Sequence, residues 1–185
     1  MRYILKIKGE KMKKILMVGA ILLAICISIS AVSADEGWSF NFGSSESSNS
    51  DGGFFSLNTG TNLLEIQKLQ YTIPDGYKEN ESFRVVGVDA NESSFPDDTK
   101  ETAGQFVNGD DSIIVKVFYR DTAFEEDGYV PAEGAVTEKI AGQNGWITED
   151  EDGVTFDFVK DGKIVEIDTP NEQVLQSILE SANNK

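Results

Sequence analysis

The 185-residue chain contains no histidine, and its single cysteine, Cys26, lies near the N-terminus. Without an imidazole there is no Ser-His-Asp arrangement and no histidine metal ligand. Beyond Cys26 there is no thiol, which excludes a disulfide, a cysteine nucleophile and a thiolate metal site. No Gly-rich phosphate loop is present, and no segment repeats at a fixed period. Basic residues are also scarce, 16 Lys plus Arg against 32 Asp plus Glu. Residues 1–34 hold six of those bases and one of the acids, which leaves 10 against 31 and a formal net charge of −21 for residues 35–185. Such a surface repels polyanions, which argues against nucleic acid and anionic lipid as partners. It favours solubility and attraction to cations or basic surfaces, and its simplest reading is a solvated acidic exterior.

The N-terminal part reads as an export address. Lys11, Lys13 and Lys14 form a basic region, residues 15–29 are nearly all apolar, and Val32-Ser33-Ala34 supplies small residues before a cut. Residues 1–34 are therefore expected to be a signal peptide, cleaved between Ala34 and Asp35, with Met12 as the expected start. The competing reading is an uncleaved N-terminal anchor, but the apolar run falls short of the ~20 residues of a spanning helix. Cys26 follows Ala24-Ile25, and Ile25 is too bulky for a lipoprotein pattern, so this cysteine is expected to leave with the signal. An exported chain at or outside the cell surface follows, with no membrane contact after cleavage.

Residues 35–62 read as a Gly/Ser/Asn-rich acidic linker. Trp38, Phe40 and Phe42 alternate within it and suit a strand added to a sheet edge or a partner. Phe54-Phe55 is a second aromatic patch in this tether.

Residues 63–185 read as one α+β domain, with about six or seven mostly antiparallel strands and a C-terminal helix packed on one face. Val154, Phe156 and Phe158 alternate with Thr155, Asp157 and Val159, the period of a half-buried strand. Asp161-Gly162 follows as a two-residue turn. It pairs Phe158 with Val165 and Phe156 with Ile167 on a core face. Val159–Ile164, Asp157–Glu166 and Thr155–Asp168 fall on the other face, expected to look into water because it opposes like charges. Thr169-Pro170-Asn171-Glu172 fits a capping box with Thr169 as N-cap. Val174, Leu175, Ile178, Leu179 and Ala182 then form one helical stripe.

Upstream, Leu69, Tyr71 and Ile73 alternate before Pro74-Asp75-Gly76, expected as a type I turn. Phe83–Val88 and Thr102–Val107 read as strands. Residues 108–111 turn into a central strand over 112–120, placing Phe106 opposite Ile113. Residues 121–134 form a long acidic loop. Val136–Ile140 is a strand, Gln143-Asn144-Gly145 a turn, and Trp146-Ile147-Thr148 a short return.

The ISAVSA export end, the TIPDGY turn, the IIVKVF strand and the KIAGQNGW–VTFDFVKDGKIVEI block resemble a group of uncharacterised exported domains of methanogenic archaea. The layout from Tyr71 to Glu180 is also similar to exported sheet-plus-helix domains of the PsbP-like class. These resemblances imply an archaeal exported domain and transfer no catalytic motif.

Candidate chemistry is confined to carboxylates. Asp157, Glu166 and Asp168 fall on one hairpin face, Glu149-Asp150-Glu151-Asp152 precede Gly153, and Glu125-Glu126-Asp127 precede Gly128. Oxygen clusters of this kind suit a hard cation such as calcium. Neither loop completes a calcium-loop pattern, since Gly153 at the sixth position puts Thr148 at the first and Val159 at the twelfth. No pair of acids stands out for glycosidase-type chemistry. Asn80-Glu81-Ser82 and Asn91-Glu92-Ser93 are glycosylation sequons, and Trp146 reads as a core residue or, alternatively, a stacking platform. The expectation is a non-enzymatic exported domain with no cofactor and no assigned catalytic or metal residue, binding a protein or cell-envelope component. A weak cation-binding module on the acidic hairpin face, and an enzyme with an unidentified carboxylate pair, are the alternatives.

Overall fold

The computed structural model describes residues 44–48, 53–90 and 94–183. The expected signal segment, the Trp38–Phe42 alternation and the Asn91 sequon lie outside them. The elements in chain order are β1 (Ser44–Ser48), β2 (Phe54–Asn58), β3 (Leu63–Ile66), β4 (Leu69–Thr72), β5 (Lys78–Glu79), β6 (Val85–Asp89), β7 (Lys100–Asn108), β8 (Asp111–Tyr119), β9 (Val136–Ile140), β10 (Gln143–Glu149), β11 (Val154–Lys160), β12 (Lys163–Thr169) and α1 (Glu172–Asn183). They build a four-stranded sheet, β1-β2-β3-β4, and a larger sheet ordered β5-β7-β8-β12-β11-β10-β9, with β6 also on β7. The pairings are antiparallel, and the strands are more numerous than the six or seven expected.

The hairpin of β11 and β12 forms as its residues dictate. Asp161 and Gly162 take φ of +52° and +71°, the left-handed pair of a tight hairpin turn. Phe158 then pairs with Val165, Phe156 with Ile167 and Asp157 with Glu166. The β7–β8 turn likewise sets Phe106 opposite Ile113. β8 lies inside the larger sheet between β7 and β12, with Ile113, Val115 and Val117 fully buried, but the middle of the strand order is β12 rather than the expected 112–120 strand.

One core joins both sheets and the helix. Phe156, Phe158, Val165 and Ile167 share it with Leu175, Ile178 and Leu179 of α1 and with Phe55, Leu64, Ile66 and Tyr71 of the smaller sheet. The helix lies against β4, β11 and β12, and Ser181 Oγ accepts the Thr72 N–H at 2.8 Å. A lone helix of this length is marginal in water. Burial of three aliphatic side chains, each contributing about 1.5–3 kcal/mol, holds it.

The expected linker enters this fold. β2 carries Phe55 and Leu57 into the core, 0% and 5% exposed, so the folded unit begins before Leu63. The two sheets meet closely there: a Cβ on Gly104 in β7 would sit 2.6 Å from the Phe55 ring. Glycine at 104 is the concession that lets an aromatic from β2 lie against β7.

Other boundaries differ from expectation for local reasons. The N-cap of α1 is Asn171, whose Oδ1 accepts the Val174 N–H at 3.0 Å. Thr169 stays in the sheet, paired with Val154, and its hydroxyl donates to the Asn171 carbonyl at 3.0 Å. The turn before β10 is at Ala141-Gly142, φ +48° and +86°, which leaves Gln143, Asn144 and Gly145 inside the strand. Gly145 belongs there because a Cβ would strike the Asp157 carbonyl and the Phe156 ring. The Pro74 turn closes from Tyr77 N–H to Pro74 C=O, with Gly76 at φ +92° in third place, which a type I turn starting at Ile73 does not provide. Glu81–Phe83 forms a 3-10 turn, so the next strand starts at Val85 rather than Phe83. No helix among the described residues is long and apolar enough to cross a membrane.

Candidate functional site

Two places gather unusual groups, a cleft at one end of the sheets and a charged patch on the outer face of the larger sheet. The cleft has a volume of about 620 Å3 and lies where β2 and the end of β4 meet β5 and β7. Leu57, Ile73 and Phe106 make an apolar floor, each at most 5% exposed, and Thr59, Asn62, Tyr77 and Glu81 are among its polar lining. Its Glu79 wall is braced by an ion pair. Arg84 donates to both Glu79 carboxylate oxygens, at 2.6 and 2.7 Å, a bidentate geometry in partly desolvated surroundings. The same guanidinium lies 4.7 Å from the centre of the Phe55 ring, a cation–π contact. Burial, then the nearby Asp111 carboxylate, push the Tyr77 phenol up, so it remains a neutral hydrogen-bonding group. An apolar floor with a few placed polar groups is the composition of small-ligand sites.

The outer-face patch is built by strand register. Asp157 on β11 has Trp146 of β10 on one side and Glu166 of β12 on the other, and Glu166 faces Lys116 of β8. Lys116 Nζ lies 2.5 Å from Glu166 Oε1 and 3.9 Å from Asp168 Oδ2. Those carboxylates hold the Lys116 ammonium charged against the opposing effect of its burial. Thr155 Oγ1 donates to Asp168 Oδ1 at 2.7 Å. The face expected to look into water is therefore largely covered. Asp157 is only 4% exposed, and its Oδ1 has no hydrogen-bond partner among the described residues. The Tyr129 hydroxyl reaches the Asp157 carboxylate from the 121–135 loop, and the Tyr129 ring packs on Trp146 at 5.0 Å. Burial first, then the Glu166 charge, push the Asp157 carboxyl up to about 7. Asp168 is raised by the same two causes.

The covering elements explain why this face departs from simple alternation. Phe118 and Ile164 are buried there, with Phe95 4.5 Å from Phe118 and 6.1 Å from Phe124 between ring centres. The loops carrying Phe95 and Phe124 thus make a small second apolar layer. Arg120 stacks over Phe124 at 4.8 Å.

The structure brings Asp157, Glu166 and Asp168 together, but around an ammonium. The acids before Gly153 do something else: Asp150 Oδ1 accepts the N–H groups of Asp152 and Gly153 at 2.8 and 3.1 Å, closing the hairpin turn. Glu125, Glu126 and Asp127 are exposed. Among the described residues no group of three or more carboxylates is arranged to hold a metal ion. At the first sequon, Asn80 Nδ2 donates to Gln105 Oε1 at 2.7 Å, so the amide that would carry a glycan is bonded to β7. Trp146 is half-buried under Tyr129 rather than in the main core. Lys116 and Tyr129 escape sequence reasoning. Lys116 would have been found by pairing β8 with β12, but nothing local marks Tyr129 within its loop.

No protein-family model, curated protein or solved structure matches the chain.

Proposed function

We propose that the chain is an exported, non-enzymatic binding domain, acting at or outside the cell surface, and that the cleft beside β5 and β7 receives its ligand. The observation that carries this reading is the cleft itself: a buried aliphatic–aromatic floor, a salt-bridged wall and neutral hydrogen-bonding groups. The carboxyls with raised pKa, Asp157 and Asp168, do not line it. That separation disfavours acid–base catalysis in the cleft, because a general acid must reach the bond it protonates. The acidic exterior of residues 35–185 favours a neutral or basic protein or cell-envelope component as partner.

Two measurements on the protein as made by its host test this. N-terminal sequencing of the exported form should begin at Asp35; a chain retained with residues 1–34 overturns the cleaved form. Amide chemical-shift mapping against a small-fragment library should place the responsive signals at Leu57, Asn62, Tyr77 and Phe106. Hits that cluster elsewhere, or that survive Tyr77→Ala unchanged, would remove the cleft from the reading.

A further inference from the structure

The 121–135 loop is held to the sheet at two separate points. Asp121, Glu125, Glu126, Asp127 and Glu133 give it five carboxylates, and it has no Lys or Arg. Most of it is exposed; Phe124 and Tyr129 are among its few half-buried residues. Phe124 is anchored through its backbone, whose N–H donates to the Gly162 carbonyl at 2.9 Å, and through its ring, under Arg120. Tyr129 is anchored by Trp146 and Asp157. The second anchor therefore stands beside a carboxyl that is only 4% exposed and has one oxygen unpartnered.

We propose that the 121–135 loop is a proton-controlled flap, latched by Tyr129 onto protonated Asp157 and released when Asp157 ionises, which bares Trp146 and the acidic face.

The groups facing Asp157 set the direction. From β12 come Glu166 and Asp168, which repel an ionised Asp157. From β8 comes Lys116, which attracts it but is held by Glu166. From the loop comes Tyr129, whose hydroxyl favours the ionised form, and β10 presents Trp146. Asp150 acts on Asp168 from the β10–β11 turn, and Glu101 acts on Lys116 from β7. Burial and Glu166 outweigh Tyr129 and Lys116. The loop's share of that cover is the Tyr129 ring, packed on Trp146 beside Asp157. Lifting the loop hydrates both carboxylate oxygens, and water replaces the single Tyr129 bond, so the ionised form prefers the open state. The five loop carboxylates, over a face that already holds Glu166 and Asp168, push the same way.

The test uses Trp146 as its own reporter. The chain has two tryptophans, so Trp38→Phe leaves Trp146 alone. Raising the pH from about 5 to about 8.5 should red-shift Trp146 emission and increase acrylamide quenching. Hydrogen exchange at 121–135 should then be faster than in Asp157→Asn at the same pH, which cancels the intrinsic pH effect. The excess should grow by up to about tenfold per pH unit across the titration, while amides of β8 stay equally protected. Asp157→Asn should hold the Trp146 signal at its acidic value throughout. An identical pH response in Asp157→Asn overturns the latch. If that variant does not fold, the wild-type titration decides: a flat Trp146 signal, or loop exchange that rises only with the intrinsic rate, overturns the proposal.

Discussion

A chain that begins at Leu63 should not fold, although the Gly/Ser-rich composition of residues 35–62 reads as a tether. The structure supplies the magnitude. Phe55 is 0% exposed and Leu57 5% exposed. Losing a buried Phe costs about 3–5 kcal/mol and a buried Leu about 2–5 kcal/mol. Their joint removal, roughly 5–10 kcal/mol, is comparable to the whole stability of a domain, about 5–15 kcal/mol. Two further losses add to it: the Gln67 N–H donates to the Phe54 carbonyl at 3.0 Å, and Arg84 would lose its aromatic partner. Phe55→Ala in the full chain should lower the urea midpoint strongly while leaving a cooperative transition. The shortened chain should show no near-ultraviolet circular dichroism and no thermal transition. A chain from Leu63 that melts within a few degrees of the longer one would refute the assignment of β2 to the core, and with it the account of Gly104.

Four other substitutions have stated expected effects. The Asp157 carboxyl titrates at about 7 in the native state against 3.8 in its reference state, so the folded chain binds the extra proton between those values. Stability should therefore fall as pH rises through that window and level off above it, and Asp157→Asn should remove the slope and stabilise the protein near pH 8 by about 2–4 kcal/mol, read by urea unfolding at each pH. Tyr71 is 1% exposed and its hydroxyl has no partner among the described residues; Tyr71→Phe should be neutral or stabilising by up to about 1 kcal/mol, and a loss above that would reveal a hidden partner. Asn171→Ala should cost about 1 kcal/mol through the lost cap on Val174, whereas a larger loss from Thr169→Ala would come from its buried strand position rather than from capping.

What could be read from sequence was whatever a few adjacent residues decide. Asp161-Gly162 forces a two-residue turn, and the turn alone sets the register of Phe156, Phe158, Val165 and Ile167. The stripe of α1 is equally local. The strand Phe54–Asn58 was hidden because its two core residues sit among serines and glycines, and because the space for Phe55 is made by Gly104, some fifty residues away by numbering. The cap at Asn171 was missed because Thr169, which suits the capping box locally, is kept in β12 by its pairing with Val154.

The outer face shows the limit of alternation most clearly. Asp157 lies one residue from Phe156 and Phe158, so a period of two puts it opposite the core, and the structure agrees. Opposite the core is not the same as exposed. Phe95, Phe124 and Tyr129 come from loops with no period of their own, and they turn this face into a second, thinner interior. A polar strand position left under such a cover must either find donors or hold a proton. Asp157, buried with Oδ1 unpartnered, is pushed toward the latter, its carboxyl raised to about 7 by burial and then by Glu166. The carboxylates that read from sequence as a cation site are therefore better understood through what covers them. Their surroundings are set by a loop that packs Tyr129 on Trp146 beside Asp157, and that juxtaposition is not legible in any stretch of the chain taken alone.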